Sequence, residues 1–345
     1  MEAGGSPTGP LGARDRLAMV LLRHPTLAVR LNWWVGLPRL EPNDAIPFLE
    51  EVEMRFARSR MRGSPRFVAW AMHQRAYYLA ELGRKDEAIA GWGEVVRRFG
   101  GSDDPAVNWW VARALVRSAV ACHDLGRIDD ALIRAEELER RVVDENASPA
   151  LREQAAWAIR LQVYLLDELG RWDDAIAANE RLVRRFGGYG THAIRELVAS
   201  ALNQVGSMHM TRESLDEAMA AFKQVARLFG ATTRPALRAE VASAALQEGV
   251  VLWRLGRRGE DLAVFDDVLR RYGKLDEPGI RITLASALLF KGTALERLDR
   301  PDDAIATYAE LERRFAEDSD SSIQEDVAMA RRRRAELMED DTNPD

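Results

Sequence analysis

The side chains most able to do chemistry in this 345-residue chain are few and scattered. Its five histidines, His24, His73, His123, His192 and His209, never fall at a metal-ligand spacing, and no HExxH is present, so no metal site is expected. Cys122 is the only cysteine, which excludes an intrachain disulfide and fits a reducing cytoplasm. His123 follows it, but adjacent residues on a helix point apart. Cys122 therefore reads as a small buried hydrophobe rather than a nucleophile. Glycines stand where helices end and form no phosphate-binding loop after a strand. Paired carboxylates are plentiful, yet they sit at helix starts, where the helix dipole already accounts for them. No catalytic constellation and no cofactor site is read from these residues, so an enzyme is not expected.

Composition narrows the partners. Hydrophobic residues make up 47% and charged residues 30% of the chain, the balance of a folded protein. The formal charge of −6 argues against a nucleic-acid partner, which favours a basic face. The apolar run from Leu17 to Leu22 is far shorter than the ~20 residues of a membrane span. No membrane partner and no signal peptide are expected. Arginine outnumbers lysine 45 to 4, the bias of a GC-rich, bacterial coding sequence.

The element that must position any site is a repeat. Asp86-Glu87-Ala88-Ile89, Asp129-Asp130-Ala131-Leu132, Asp173-Asp174-Ala175-Ile176, Asp216-Glu217-Ala218-Met219 and Asp302-Asp303-Ala304-Ile305 are one phrase, with an earlier copy at Asn43-Asp44-Ala45-Ile46 and a looser one at Glu260-Asp261-Leu262. The anchors 45, 88, 131, 175, 218, 261 and 304 are 43 or 44 residues apart each time, a regularity that marks a tandem array. Eleven residues after each anchor stands a ring (Phe56, Phe99, Phe186, Phe229, Tyr272, Phe315), with Val142 as the aliphatic exception. Paired alanines precede each anchor by 19 and 17 residues, from Ala69 and Ala71 to Ala285 and Ala287, and the period carries on to Ala328 and Ala330.

Each unit resolves into two helices. Helix A often opens with proline (Pro105, Pro149, Pro235, Pro278), whose missing N–H is harmless in a first turn. It closes at Leu-Gly, as at Leu82-Gly83 and Leu169-Gly170, because glycine takes the left-handed conformation that stops a helix. Helix B opens with acids and ends in Arg-Arg-Phe-Gly or a variant, complementing the macrodipole at both ends. No segment alternates like a strand. The pattern resembles the tetratricopeptide repeat family over roughly residues 40 to 338, with small mid-helix residues at Ala76, Ala119, Val163, Gly206, Gly249 and Gly292 and a later ring at Trp92, Phe222, Phe265 and Tyr308. Ala135 and Asn179 depart from it, and the period exceeds the usual 34 residues. The resemblance implies an all-α fold, an α-solenoid of antiparallel helix pairs stacked in a right-handed superhelix.

The expected organisation is a disordered arm over residues 1–10, an N-terminal cap and degenerate first repeat over 11–64, and six helix pairs over 65–315. A capping helix over 316–338 and an acidic tail over 339–345 complete it. The Trp33-Trp34 pair occupies a place that ordinary units give to a small residue. The cap is therefore expected to be covered by the helix around Arg14 to Arg23 or by a second chain, which would permit self-association.

The resemblance also implies a concave face lined by helix A. One row of it reads Trp70, Arg113, Trp157, Ser200, Ser243, Ser286. The next begins His73, Val116, Arg160 and the third Tyr77, Val120, Tyr164. Tryptophan, tyrosine and arginine are enriched in binding hot spots, so Trp70, His73, Tyr77, Arg113, Trp157, Arg160 and Tyr164 are the candidate peptide contacts; the open alternative is that these rings pack against neighbouring helices. Arg152, Arg195, Arg238 and Arg281 share one repeat position, with Asn108 in the equivalent place. Such a ladder either grips acidic groups of a ligand or, the reading favoured here, pairs with carboxylates of neighbouring helices. The Arg-Arg endings and the run from Arg331 to Arg334 read as solvated caps and the polar face of a terminal helix. The function expected is a non-enzymatic scaffold for a protein or peptide in the cytoplasm. The alternative is a sensor module whose shape responds to a ligand or partner and so controls an effector.

Overall fold

The computed structural model describes residues 41–58, 64–142, 147–188 and 190–342. The expected arm, the Trp33-Trp34 cap, any self-association through it, and the last three residues of the tail lie outside that range. Fourteen helices are described, with no strand among the described residues. The first is α1 (Pro42–Ala57). Six A–B pairs follow: α2 (Ser64–Glu81) with α3 (Lys85–Phe99), α4 (Pro105–Asp124) with α5 (Ile128–Arg141), and α6 (Pro149–Glu168) with α7 (Trp172–Phe186). They continue as α8 (His192–Thr211) with α9 (Leu215–Phe229), α10 (Pro235–Arg254) with α11 (Glu260–Tyr272), and α12 (Pro278–Glu296) with α13 (Pro301–Phe315). A single helix, α14 (Ser321–Thr342), comes last. The chain divides, within α6, into two compact units, residues 1–158 and 159–345.

The repeated residues are the packed ones. Anchor alanines from Ala45 to Ala304 and both alanines of each pair from Ala69 to Ala287 are buried. Their small side chains let successive A and B helices approach, and most of the rings eleven residues after the anchors fill the remaining space: Phe186, Phe229, Tyr272 and Phe315 are all buried. Asp261 stands where the other units have the anchor alanine, and it too is buried. Its Oδ1 accepts the backbone N–H groups of Gly259 and Leu262 at 2.9 and 2.8 Å, so the helix start neutralises the acid it buries.

Each A helix ends the same way. The N–H two residues beyond the closing glycine's predecessor reaches back to a carbonyl five positions earlier, as from Arg84 to Leu79, Arg127 to Cys122 and Arg171 to Leu166 at 2.8–2.9 Å. Gly83, Gly126, Gly170 and Gly256 hold positive φ between 68° and 78° there. In the two units that lack this glycine, Glu213 and Asp299 are forced into the same region at φ 61° and 59°, at a cost an L side chain rarely bears.

The mid-helix small residues also have a specific reason. A Cβ on Gly206, Gly249 or Gly292 would lie 2.5, 2.5 or 2.3 Å from the ring of Phe222, Phe265 or Tyr308. Where the ring is missing, at Ala135 and Asn179, the facing residue is no longer glycine but Ala119 or Val163, and all four are buried. The two departures from the pattern are thus exchanges of volume between facing helices.

Arginines tie one unit to the preceding one. Arg254 and Arg297 donate to the carbonyls of Met210 and Trp253 at 2.8 and 2.9 Å, each 44 residues back. Arg141 and Arg314 donate to the carbonyls of Gly100 and Gly273 at 2.8 and 3.0 Å, each 41 residues back. The Arg-Arg endings are therefore not all solvated caps: Arg97 and Arg184 are exposed, whereas Arg141 and Arg314 are inter-repeat bridges. The run on α14 is similarly engaged, with Arg331 and Arg334 on Glu312 and Arg333 on Glu296.

Candidate functional site

In the first unit the face of α2 and α4 carries a cluster of rings and arginines. His73 on α2 is 1% exposed and lies between the rings of Trp110 on α4 and Trp92 on α3, centroids 5.2 and 6.3 Å away. The Trp92 indole N–H donates to the His73 carbonyl at 3.3 Å, and the His73 Nδ1 meets the Gln74 amide oxygen at 3.2 Å. Its Nε2 has no partner. Burial, followed by the nearby charges of Arg113 and Arg117, pushes the imidazole pKa down to about 3, so it is neutral at ordinary pH.

Trp70, one turn before His73, is 9% exposed. The expectation that Trp70 and His73 offer an open contact surface is corrected here: both are interior side chains, because Trp110 closes over the histidine and the α2 face turns inward there. Tyr77 and Arg113 are half-buried and Trp157 is 50% exposed. Tyr77 stands edge-on to Tyr78 at 5.8 Å and lies 5.6 Å beneath the Arg117 guanidinium. Arg113 lies 4.8 Å from the Trp109 ring centre, and Trp109 meets Trp110 edge-on at 4.4 Å. Arg117 and Trp109 are the members that sequence reasoning missed. The available signal was arginine at 117 where the other units carry Gln74, Leu161, Gln204, Gln247 and Phe290.

The second unit differs in kind. Tyr164 is 54% exposed on α6. Arg160 is half-buried and donates to the Gln204 amide oxygen. Asn203 donates to Glu240, at 2.7 Å to its carboxylate and 3.0 Å to its carbonyl. Burial raises the Glu240 pKa and the charge of Arg160 offsets part of that rise. Arg160 is thus a member of a polar network joining α6, α8 and α10.

Two of the four ladder arginines form inter-repeat ion pairs. Arg238 pairs with Glu277 and Arg281 with Asp318, the latter at 2.6 Å. Arg195 lies 5.6 Å from the Phe229 ring centre. Arg152 keeps a buried Nε without a hydrogen-bond partner. The carboxylates come from the loops that lead into the next helix, which is why the position repeats.

A cleft of about 550 Å³ opens in the first unit between α3 and α5, above Leu115 and Ser118 of α4, with Ile133, Arg134 and Arg141 on its wall. A Cβ on Gly93 would meet nothing within 4 Å, so neither packing nor backbone geometry calls for glycine at this cleft edge. Among the described residues no group of three or more His, Cys, Asp and Glu could hold a metal ion, and no helix is long and apolar enough to cross a membrane.

Comparison with known proteins agrees with this geometry. The tetratricopeptide repeat family model matches residues 160–231. A comparison with curated protein sequences finds no match. Among solved structures, the chain is similar to the apo form of RapI, at 10% identity, TM-score 0.51 and 94% coverage of both chains. It is similar to a signal transduction ATPase with numerous domains and a tetratricopeptide repeat sensor, from Pyrococcus horikoshii, at 12% identity and TM-score 0.51, covering 95% of this chain and 47% of that one. BtubC from P. vanneervenii is 17% identical with TM-score 0.46, covering 76% of this chain and 93% of that one. The matched span, the recurring anchors and the paired helices are thus all similar to the tetratricopeptide repeat.

Proposed function

We propose that this protein is a non-enzymatic scaffold that binds a segment of another protein on its A-helix faces. The observation that supports this most directly is the exposure of large rings on positions released from packing. The anchor, alanine and later-ring positions are buried and nearly constant, whereas Trp157 and Tyr164 keep 50% and 54% of their surface in water. A ring held open on a rigid helix retains apolar area that a partner can cover at little cost in side-chain entropy. In this reading Trp157 and Tyr164 are contact residues, Tyr77 and Arg113 in the first unit and Arg160 in the second supply polar and stacking contacts, and Trp70 and His73 are interior. The experiment is to capture the partner from the native host and titrate it against Trp157→Ala and Tyr164→Ala, with helicity checked by circular dichroism. A loss of roughly 2 kcal/mol or more in either supports the reading. Unchanged affinity in both, with a loss from changes at Ser243 or Leu289, moves the contact elsewhere.

The cleft beside Gly93 favours a second reading, a sensor module that takes a small ligand and controls an effector. The Pyrococcus horikoshii ATPase carries a tetratricopeptide repeat sensor by its own description. Gly93→Leu would narrow the cleft, and unchanged regulation of an identified effector would count against this reading.

A further inference from the structure

The cleft between α3 and α5 gathers departures from the repeat. Two residues after the anchor, every other helix B carries alanine or, in α1, Pro47; here stands Ile133, 56% exposed. The next position is Gly91, Ala178, Ala221, Val264 or Thr307 in the A–B pairs, but here it is Arg134. On the opposite wall, Gly93 stands where the other units have Glu50, Glu136, Glu180, Lys223, Asp266 or Ala309. On the floor, Ser118 stands in place of Arg75, Gln162, Val205, Glu248 or Lys291. Glycine inside a helix weakens it, and an exposed isoleucine gains nothing from the core. The shared residues already satisfy the repeat, so four such changes meeting at one opening are not called for by packing. They take bulk from α3 and α4 and set an apolar side chain and a cation against the space that results. Arg134 is held there by neutral groups: its Nε donates to the Ser118 hydroxyl at 2.8 Å and its Nη1 to the Asp130 carbonyl at 2.7 Å. The Asp130 carboxylate stays 3.7 Å away, and Nη2 has no hydrogen-bond partner among the described residues. The other two arginines of the cleft are engaged, Arg97 with Glu94 and Arg141 with Glu137.

We infer that this cleft is a binding site for a small amphipathic monoanion, a molecule with one anionic group set against Arg134 and an apolar body lying on Val96, Leu115 and Ile133. The inference rests on the sensor reading and names the chemistry of the ligand. The cleft volume of about 550 Å³ falls within the range of small-molecule pockets, about 300–1,000 Å³. A guanidinium already fixed through Nε and Nη1 loses little freedom when it takes an anion. A second anionic group would meet Glu137, which also lines the cleft. A neutral apolar molecule would cover Arg134 and leave its Nη2 without a partner.

The test titrates anilinonaphthalenesulfonate into the full chain by fluorescence, beside phenylnaphthylamine, which has the same rings without the sulfonate. The comparison set is Arg134→Met, Gly93→Leu and Trp157→Ala, each checked for folding by circular dichroism. The expected result is saturable binding of the sulfonate, about tenfold or more tighter than the amine. Arg134→Met should bring the sulfonate down to the affinity of the amine and leave the amine unchanged. Gly93→Leu should weaken both, and Trp157→Ala should alter neither. Octanoate should displace the sulfonate, whereas inorganic phosphate at matched ionic strength should not. Gly93→Leu leaves Arg134 and its hydrogen bonds in place, so the site is tested even if Arg134→Met fails to fold. The inference is overturned if the sulfonate does not bind, if its affinity survives Gly93→Leu, if it falls in Trp157→Ala, or if inorganic phosphate displaces it. It is also overturned if both reporters bind equally and weaken in Gly93→Leu but not in Arg134→Met. That last result removes the anion and leaves a cleft that takes a small ligand, so the sensor reading stands.

Discussion

His73 makes the first unit sensitive to acid, and the size of the effect follows from its surroundings. The imidazole is 1% exposed, lies between Trp92 and Trp110, and faces the charges of Arg113 and Arg117 with only Gln74 as a polar partner. Its pKa falls from 6.5 to about 3 on folding. Between those values the unfolded chain binds a proton that the folded chain refuses. Stability is therefore full above the unfolded pKa and declines as pH falls below it. Near pH 5, about 1.5 units below the unfolded value, the loss is roughly 2 kcal/mol at about 1.4 kcal/mol per unit. That is a large share of the ~5–15 kcal/mol that holds an ordinary domain together. The perturbation is His73→Leu, which cannot titrate and also removes the unpartnered Nε2. Urea unfolding followed by far-ultraviolet circular dichroism, at about pH 7 and about pH 5, gives the difference in unfolding free energy for each protein. The variant should lose roughly 2 kcal/mol less than the wild type over that interval, with His73→Gln behaving like His73→Leu. Equal losses in wild type and both variants would refute the assignment of the histidine as buried and neutral.

Other outcomes follow from the packing. Gly249→Ala sets a Cβ 2.5 Å from the Phe265 ring and should destabilise by about 1–3 kcal/mol, with Phe265→Leu recovering part of that loss in a double-mutant cycle. Glu213→Gly and Asp299→Gly remove side chains from left-handed backbone at φ 61° and 59° and should each raise stability by about 0.5–1 kcal/mol, read as a higher urea midpoint. Arg281→Ala strands Asp318, whose side chain is only 7% exposed, and should cost about 1–3 kcal/mol; Arg281→Ala combined with Asp318→Ala should cost less than the single change.

The repeat was legible in the sequence because packing imposes it. A position packed between helices has few solutions, so Ala175, Ala199 and Ala201 recur with their counterparts and are all buried. The Leu-Gly helix ends were legible for the same reason, since four glycines hold the left-handed conformation that the motif demands. The candidate site was harder to read because exposure depends on neighbours that are not periodic. Trp70 and Trp157 occupy one repeat position, yet the first is buried and the second half exposed. His73 shares the Trp70 face by spacing, but Trp110, from the next A helix, lies against it. The isolation of Arg117 from carboxylates is a property of space and not of spacing.

The arginine bridges give the array a mechanical character. Arg141, Arg254, Arg297 and Arg314 each reach 41 or 44 residues back and no further, so within each unit a helix pair is fastened to its immediate predecessor. Under tension such a chain would come apart link by link, the break moving to whichever bridge is weakest at that moment. A released repeat of 43 or 44 residues pays out about 150 Å of extended chain at 3.3–3.6 Å per residue. The fold is thus built like a ratchet strap, holding its setting one tooth at a time.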